Sequence, residues 1–144
     1  MKFLETQSRT IAKLVSWRVF VTISHFITAL AVTGSVKLSM EIASWSILIN
    51  SVLYWLHERS WNWMQWNRRA ETGLLFYEGL PRTGSKLITW RIVISASNFL
   101  IAFLVSGNWK TGAFYLGTGA IVNMIMYVLH ERAWNRCSWG KESV

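Results

Sequence analysis

The residues best equipped for chemistry come in two copies of one string, Leu-His-Glu-Arg-x-Trp-Asn: His57, Glu58 and Arg59 in the first, His130, Glu131 and Arg132 in the second. Two histidines and two glutamates are a usable metal-ligand set, and a histidine ending an apolar segment is also a means of holding a haem or a chlorophyll-type ring. Adjacent residues on a helix point about 100° apart, however, whereas helical metal motifs bring their histidines onto one face. The spacing therefore favours hydrogen-bonded interfacial histidines. No metal or cofactor is expected, and a metal, haem or chlorophyll-type pigment on His57 and His130 is the alternative that the residue types leave open. His25 has Asn98 at the equivalent place in the second copy and so no symmetric role, and the single cysteine, Cys137, has no partner for a disulfide or a zinc site.

The elements that carry these strings belong to a bilayer. At 52% hydrophobic, 15% charged and ten tryptophans in 144 residues, the chain is too apolar for an ordinary small water-soluble domain. Its net charge of +8 would suit nucleic acid only if the basic residues were gathered on one soluble surface; apolar stretches separate them, so no nucleic-acid partner is expected. Four stretches of 20 residues, Leu14 to Thr33, Leu38 to His57, Leu87 to Ser106 and Thr111 to His130, have the length that a helix needs to cross the hydrocarbon core. Only Gly34 to Lys37 and Gly107 to Lys110 separate the members of each pair, each connection opening on a helix-ending glycine. Thirteen of the fifteen Lys and Arg, and six of the seven acids, fall on one side of this arrangement, leaving Lys37, Lys110 and Glu41 on the other. Positive flanks stay inside, so both termini are expected in the cytoplasm, at a bacterial inner membrane with anionic lipids as partners.

Shifted by 73 residues, Phe3 to Trp66 aligns with Phe76 to Trp139 without a gap, and 23 of the 64 pairs are identical. Such self-similarity is a duplication. The first unit is residues 1–67 and the second 76–144, joined by an interfacial linker at 68–84. Each unit holds an even number of spans, so the copies share one orientation. The expected fold is all-α: a polytopic membrane protein of four transmembrane helices, two parallel tandem hairpins with pseudo-two-fold symmetry about the membrane normal. Phe3 to Ile11 and its counterpart in the linker read as amphipathic stretches lying on the inner surface.

Ser16-Trp17-Arg18, Thr33-Gly34 and the run from Tyr54 to Asn62, repeated as Thr89-Trp90-Arg91, Ser106-Gly107 and Tyr127 to Asn135, resemble a bacterial membrane family, domain of unknown function 2061, in two tandem copies. The resemblance implies a membrane fold. It implies no activity and no catalytic residue.

Along the second span, Ser39, Ala43, Ser46, Asn50, Tyr54, His57 and Trp61 recur at alternating spacings of four and three; Gly112, Leu116, Gly119, Asn123, Tyr127, His130 and Trp134 repeat the line in the fourth. This is the seam of a left-handed helix pair. It predicts that the second and fourth helices pack together around the pseudo-axis, with Asn50 and Asn123 bonding at mid-membrane. Hairpin geometry is read as placing Arg18 beside Glu58 and Arg91 beside Glu131 as structural ion pairs. Arg59 and Arg132 are assigned to headgroup phosphates, and Trp17, Trp61, Trp90 and Trp134, with Trp55, Trp63, Trp66 and Trp139, to an interfacial aromatic belt.

No nucleophile, acid–base pair or metal is assembled in a pocket, so no enzymatic activity is expected. The leading expectation is a small accessory, assembly or scaffold subunit packed against other membrane proteins, with homo-oligomerisation open. The alternative is a small oligomeric channel or carrier that uses the polar seam as its path.

Overall fold

The computed structural model describes residues 1–117 and 120–144, the side chain of Val122 apart. In chain order the elements are β1 (Phe3–Glu5), α1 (Gln7–Thr33), α2 (Val36–Trp63), β2 (Arg68–Glu71), β3 (Leu75–Glu78), α3 (Leu80–Ser106), α4 (Trp109–Gly117), α5 (Ala120–Asn135) and β4 (Lys141–Ser143). The helix ends follow local chemistry. Thr6 caps α1 by accepting from the Arg9 N–H, Ser35 caps α2 through the Leu38 N–H, and Pro81 sits in the first turn of α3. Gly34 and Gly107 end α1 and α3 in left-handed conformation, φ 65° and 68°, the backbone that the tight hairpin connections require.

Three described helices are long and apolar enough to cross a bilayer: α1, α2 and α3, with mean hydropathies of 1.5, 1.2 and 1.8 over their most apolar stretches. The expected fourth span runs through 118 and 119, so Gly119, and with it that part of the seam, lies outside the described residues; α4 and α5 flank it. The outward faces of the helices are apolar. Val15, Val19, Ile23 and Ile27 on α1, Ile88 and Ile92 on α3, and Ile121, Ile125 and Leu129 on α5 are all exposed at three- to four-residue spacing, the stripe a helix presents to lipid.

Two features depart from the sequence reading. The protein is mainly helical, but the segments read as amphipathic surface stretches begin as short strands, β1 and β3, and run on into the first turns of α1 and α3. β1 pairs antiparallel with β4 (Phe3 opposite Ser143), and β2 with β3 (Arg68 opposite Glu78). The 73-residue shift superposes β1 on β3 and β4 on β2, so the end of each copy pairs with the start of the other. Backbone groups beside the membrane need partners, and strand pairing supplies them where a lone extended stretch does not.

The second departure is the seam. The principal contacts between copies run from α2 to α3, and from α1 to α4 and α5. Each copy's second helix thus packs on the other copy's first helix, rather than on its equivalent. Gly112, assigned to the seam for close approach, does allow one, but toward α3: a Cβ there would lie 2.9 Å from the Phe99 carbonyl oxygen. The core between copies is Trp17, Val21, Tyr54, Trp90, Ile94 and Tyr127. Trp17 stands edge-on to Tyr127 at 5.6 Å and Trp90 to Tyr54 at 5.4 Å, a favourable aromatic geometry. Trp17, Trp61 and Trp90 are therefore buried in the bundle and not part of the interfacial belt; Trp63, Trp66 and Trp139 are the exposed indoles at that end.

Candidate functional site

At the end of the bundle opposite the Gly34 and Gly107 turns, four charged side chains meet. Lys13 Nζ lies 2.7 Å from Glu58 and 3.1 Å from Glu131; Lys86 Nζ lies 2.9 Å from each of the same two carboxylates. Every side chain in this quartet is at most 2% exposed. Two cations and two anions, alternating between copies, neutralise one another where an unpaired charge would cost several kcal/mol.

The ion pairs expected from the sequence, Arg18 with Glu58 and Arg91 with Glu131, are not formed. Counted from the helix ends at Thr33 and Val36, Lys13 lies 20 residues back and Glu58 22 residues on, nearly level, whereas Arg18 lies only 15 back, five residues deeper than Lys13, roughly 7 Å at the helical rise. Lys13 therefore reaches Glu58, and Arg18 donates instead to the Ser46 carbonyl at 3.3 Å. Arg91 is likewise deeper than Glu131 and donates to the Leu116 carbonyl at 3.2 Å.

The rest of the motif also works in duplicate. His57 Nε2 lies 2.8 Å from Thr89 Oγ1, which also accepts from the Trp61 indole N–H at 3.0 Å. In the other copy, His130 Nε2 and the Trp134 indole meet Ser16 Oγ at 2.7 and 3.1 Å. Each hydroxyl donates backward, Ser16 to the Lys13 carbonyl and Thr89 to those of Ser85 and Lys86, which leaves its lone pairs to receive both ring N–H groups. Nε2, the ring atom that projects furthest toward a haem or pigment metal, is thus occupied on both histidines. Among the described residues no three His, Cys, Asp or Glu come together as a metal site. Thr89→Val is expected to orphan the Trp61 N–H and the His57 ring at once and to cost about 2 kcal/mol. Thermal melting in detergent micelles reads it, and Thr89→Ser melting as wild type would localise the loss to the hydroxyl.

Arg59 and Arg132 do not reach outward to headgroups. Arg59 donates to the Glu5 carbonyl at 2.8 Å and Arg132 to the Glu78 carbonyl at 2.9 Å; Arg132 also bonds the Tyr77 hydroxyl. Asn62 and Asn135 hold the same residues by both backbone groups, accepting from the N–H of Glu5 (2.7 Å) and Glu78 (2.9 Å) and donating to their carbonyls. The strands thus place the Glu5 and Glu78 carbonyls within hydrogen-bond reach of these guanidiniums.

Glu5 and Glu78, which the sequence reading passed over, are the outer shell of the lock. Each pairs with an arginine one turn on, Glu5 with Arg9 at 2.9 Å and Glu78 with Arg82 at 3.0 Å, and Glu78 also holds Arg68 at 2.8 Å. Burial by itself raises the Glu78 carboxyl, but Lys86, Arg82 and Arg68 together outweigh it and hold the group at about 2 instead of 4.5. Because the folded value is the lower one, this stabilisation is complete above pH 4.5 and disappears as the pH falls toward 2. Acid titration of the folded protein should show a loss in that window, and Glu78→Gln should flatten it; an unchanged acid limb in that variant would assign the loss elsewhere.

The mid-membrane polar residues follow the same exchange between copies. Asn50 does not bond Asn123. It donates to Asn98 at 2.8 Å and accepts from Ser97 at 2.5 Å, and Asn123 accepts from Ser24 at 3.3 Å, because α2 faces α3 and α1 faces α5. Ser16/Thr89, Ser24/Ser97, Lys13/Lys86 and Arg9/Arg82 are the members of the site that the sequence reading assigned no role. The signal was present in the duplication, where each pair occupies equivalent positions and three of the four are identical.

Neither a curated protein nor a solved structure matches the chain. The doubled geometry has a counterpart in the family comparison: the chain belongs to the family described as Predicted membrane protein (DUF2061), whose model matches it twice, over residues 11–62 and 85–135.

Proposed function

We propose that the protein is a four-span, non-catalytic module of the bacterial cytoplasmic membrane with both termini inside, serving as an accessory, assembly or scaffold subunit of a larger membrane complex. The observation that carries this reading is the closed charge lock. Lys13, Glu58, Lys86 and Glu131, the groups best able to act on a substrate, are spent on one another, and His57 and His130 are spent on hydroxyls. What the molecule offers outward is apolar helix surface, suited to lipid tails and to the apolar helices of other membrane proteins. Exposed basic residues at the inner end, among them Arg69 and Arg136, suit anionic headgroups. Duplication serves such a role, since it fixes in one chain an arrangement that two separate copies would form only at sufficient concentration.

The alternative, a small oligomeric channel or carrier, loses the seam as its path, because the seam asparagines bond across the copies; it rests on the cavity described below. Photo-crosslinkers placed in living cells at the lipid-facing positions Ile92 and Leu100 test the assignment. The scaffold reading expects one defined membrane protein to be captured from these positions and to fall in abundance when this chain is deleted. Capture of lipid alone, together with solute flux in proteoliposomes of the purified protein, would overturn it.

A further inference from the structure

Between α1, α3 and α5, within the membrane-spanning part of the bundle, lies a cavity lined by cations and hydrogen-bond donors and by no acid. Arg18, Arg91, His25, Asn98, Asn123, Trp17 and Tyr127 line it with apolar neighbours, and a smaller chamber shares His25, Arg91, Asn98 and Asn123. Arg18 is 8% exposed and His25 4%. Arg18 uses one of its nitrogens on the Ser46 carbonyl, and its Nε and Nη2 meet no partner. The Trp17 indole N–H, the Tyr127 hydroxyl and His25 Nδ1 are buried without a partner as well. Among the described residues no carboxylate pairs with Arg18 or Arg91, and the undescribed positions, Thr118, Gly119 and Val122, include no acid.

Charge in hydrocarbon is retained where something compensates it, and intramembrane arginines pair with acids, carbonyls or ligands. Here the buried acids, Glu5, Glu58, Glu78 and Glu131, are all committed to the lock, and carbonyls satisfy one nitrogen of each guanidinium. Arg18 Nε and Nη2, the Trp17 indole N–H and the Tyr127 hydroxyl belong to residues that line one cavity and are buried without a partner, a donor set suited to a negative charge. Size narrows its identity. The cavity is about 20 Å³, more than the roughly 10–15 Å³ that admits one water, which gives room for a single small ion. We propose that the Arg18–Arg91 cavity is a binding site for a single halide-sized inorganic anion, chloride being the abundant one. The arginines supply the charge, equivalent positions of the two copies supply both of them, and His25 and Asn98, equivalent positions with different side chains, make the site asymmetric. The site is independent of the scaffold assignment and stands or falls without it.

The test is equilibrium chloride binding to the intact chain in neutral-detergent micelles equilibrated with gluconate, read by the ³⁵Cl NMR linewidth. The expected result is saturable broadening from one site per chain, displaced by bromide and not by sulfate or phosphate. Affinity should fall at least tenfold in Arg18→Gln and in Arg91→Gln, and should not change in Arg136→Gln, an exposed arginine outside the spans. Near-UV circular dichroism reports whether each variant is folded. Should either glutamine variant unfold, Arg18→Lys keeps the charge and is expected to bind severalfold more weakly. Absence of saturable binding to the folded wild type, undiminished binding in the folded variants, or sulfate competing as well as bromide would each overturn the proposal. So would one tightly retained phospholipid per chain, found by phosphorus analysis and not displaced by chloride, since it would assign the arginines to a lipid phosphate.

Discussion

Lys86→Met is expected to destabilise the protein by about 3–5 kcal/mol, the cost of leaving buried charge uncompensated, and Glu131→Gln added to it is expected to restore most of that loss. The single change leaves Glu58 and Glu131 sharing Lys13, at 2.7 and 3.1 Å, with less than 3% exposure at any of the three. Removing one acid as well returns the cluster to one cation and one anion, so the two substitutions should compensate each other instead of adding. Unfolding of the purified chain in mild detergent, followed by near-UV circular dichroism of Trp17 and Trp90, measures both. A single variant as stable as wild type would mean that water reaches the quartet; a double variant no better than the single would mean that Lys86 acts by packing.

Much of this architecture is legible in the sequence because it is written twice. Hydropathy and length locate the helices, Gly34 and Gly107 locate the turns, and the 73-residue repeat locates every pair of residues that the structure then finds in equivalent roles. Pairing between copies is what a single copy's pattern leaves undetermined. The seam of α2 is a real periodic stripe, yet periodicity says which residues share a face and not which helix meets it; Asn50 therefore finds Asn98 and Ser97 in place of Asn123. The ion pairs were misplaced for a different reason. Arg18 and Glu58 both lie toward the same end of the bundle, but Arg18 is 15 residues from the turn end of α1 and Glu58 22 from that of α2, an offset of roughly 10 Å, more than a guanidinium recovers without leaving its own level. The strands were unreadable as strands because β1 and β4 have only three residues each, too few for alternation to register, and each finds its partner only when the two ends of the chain meet.

The mid-chain joint beside the other strand pair, β2–β3, yields the second large effect. Arg82 is fully buried, and its guanidinium serves four acceptors: Nε donates to Glu78 at 3.0 Å, Nη1 to the carbonyls of Met64 and Trp66 at 2.9 and 2.8 Å, and Nη2 to that of Trp61 at 2.5 Å. The same plane lies over the Trp61 ring, 5.3 Å from its centroid. It thereby caps the end of α2 and ties it to the start of α3, satisfying carbonyls that a helix end leaves open. Arg9 performs the equivalent service for the carbonyls of Trp134, Cys137 and Trp139 at the end of α5. There Gly140, at φ 72°, lets the chain pass so close that an added Cβ would lie 2.7 Å from Arg9 Cβ. Arg82→Ala removes every one of these bonds and leaves the Glu78 carboxylate to Arg68; a loss of about 3–5 kcal/mol is expected, as for other broken buried charge pairs. Arg82→Lys should recover less than half of it, because an ammonium can replace the charge beside Glu78 but not a planar fork addressing four oxygens. If lysine restored full stability, charge alone would explain Arg82 and the capping of α2 would count for nothing; if alanine cost as little as an exposed residue, the joint between the copies would be carried by the β2–β3 ribbon alone.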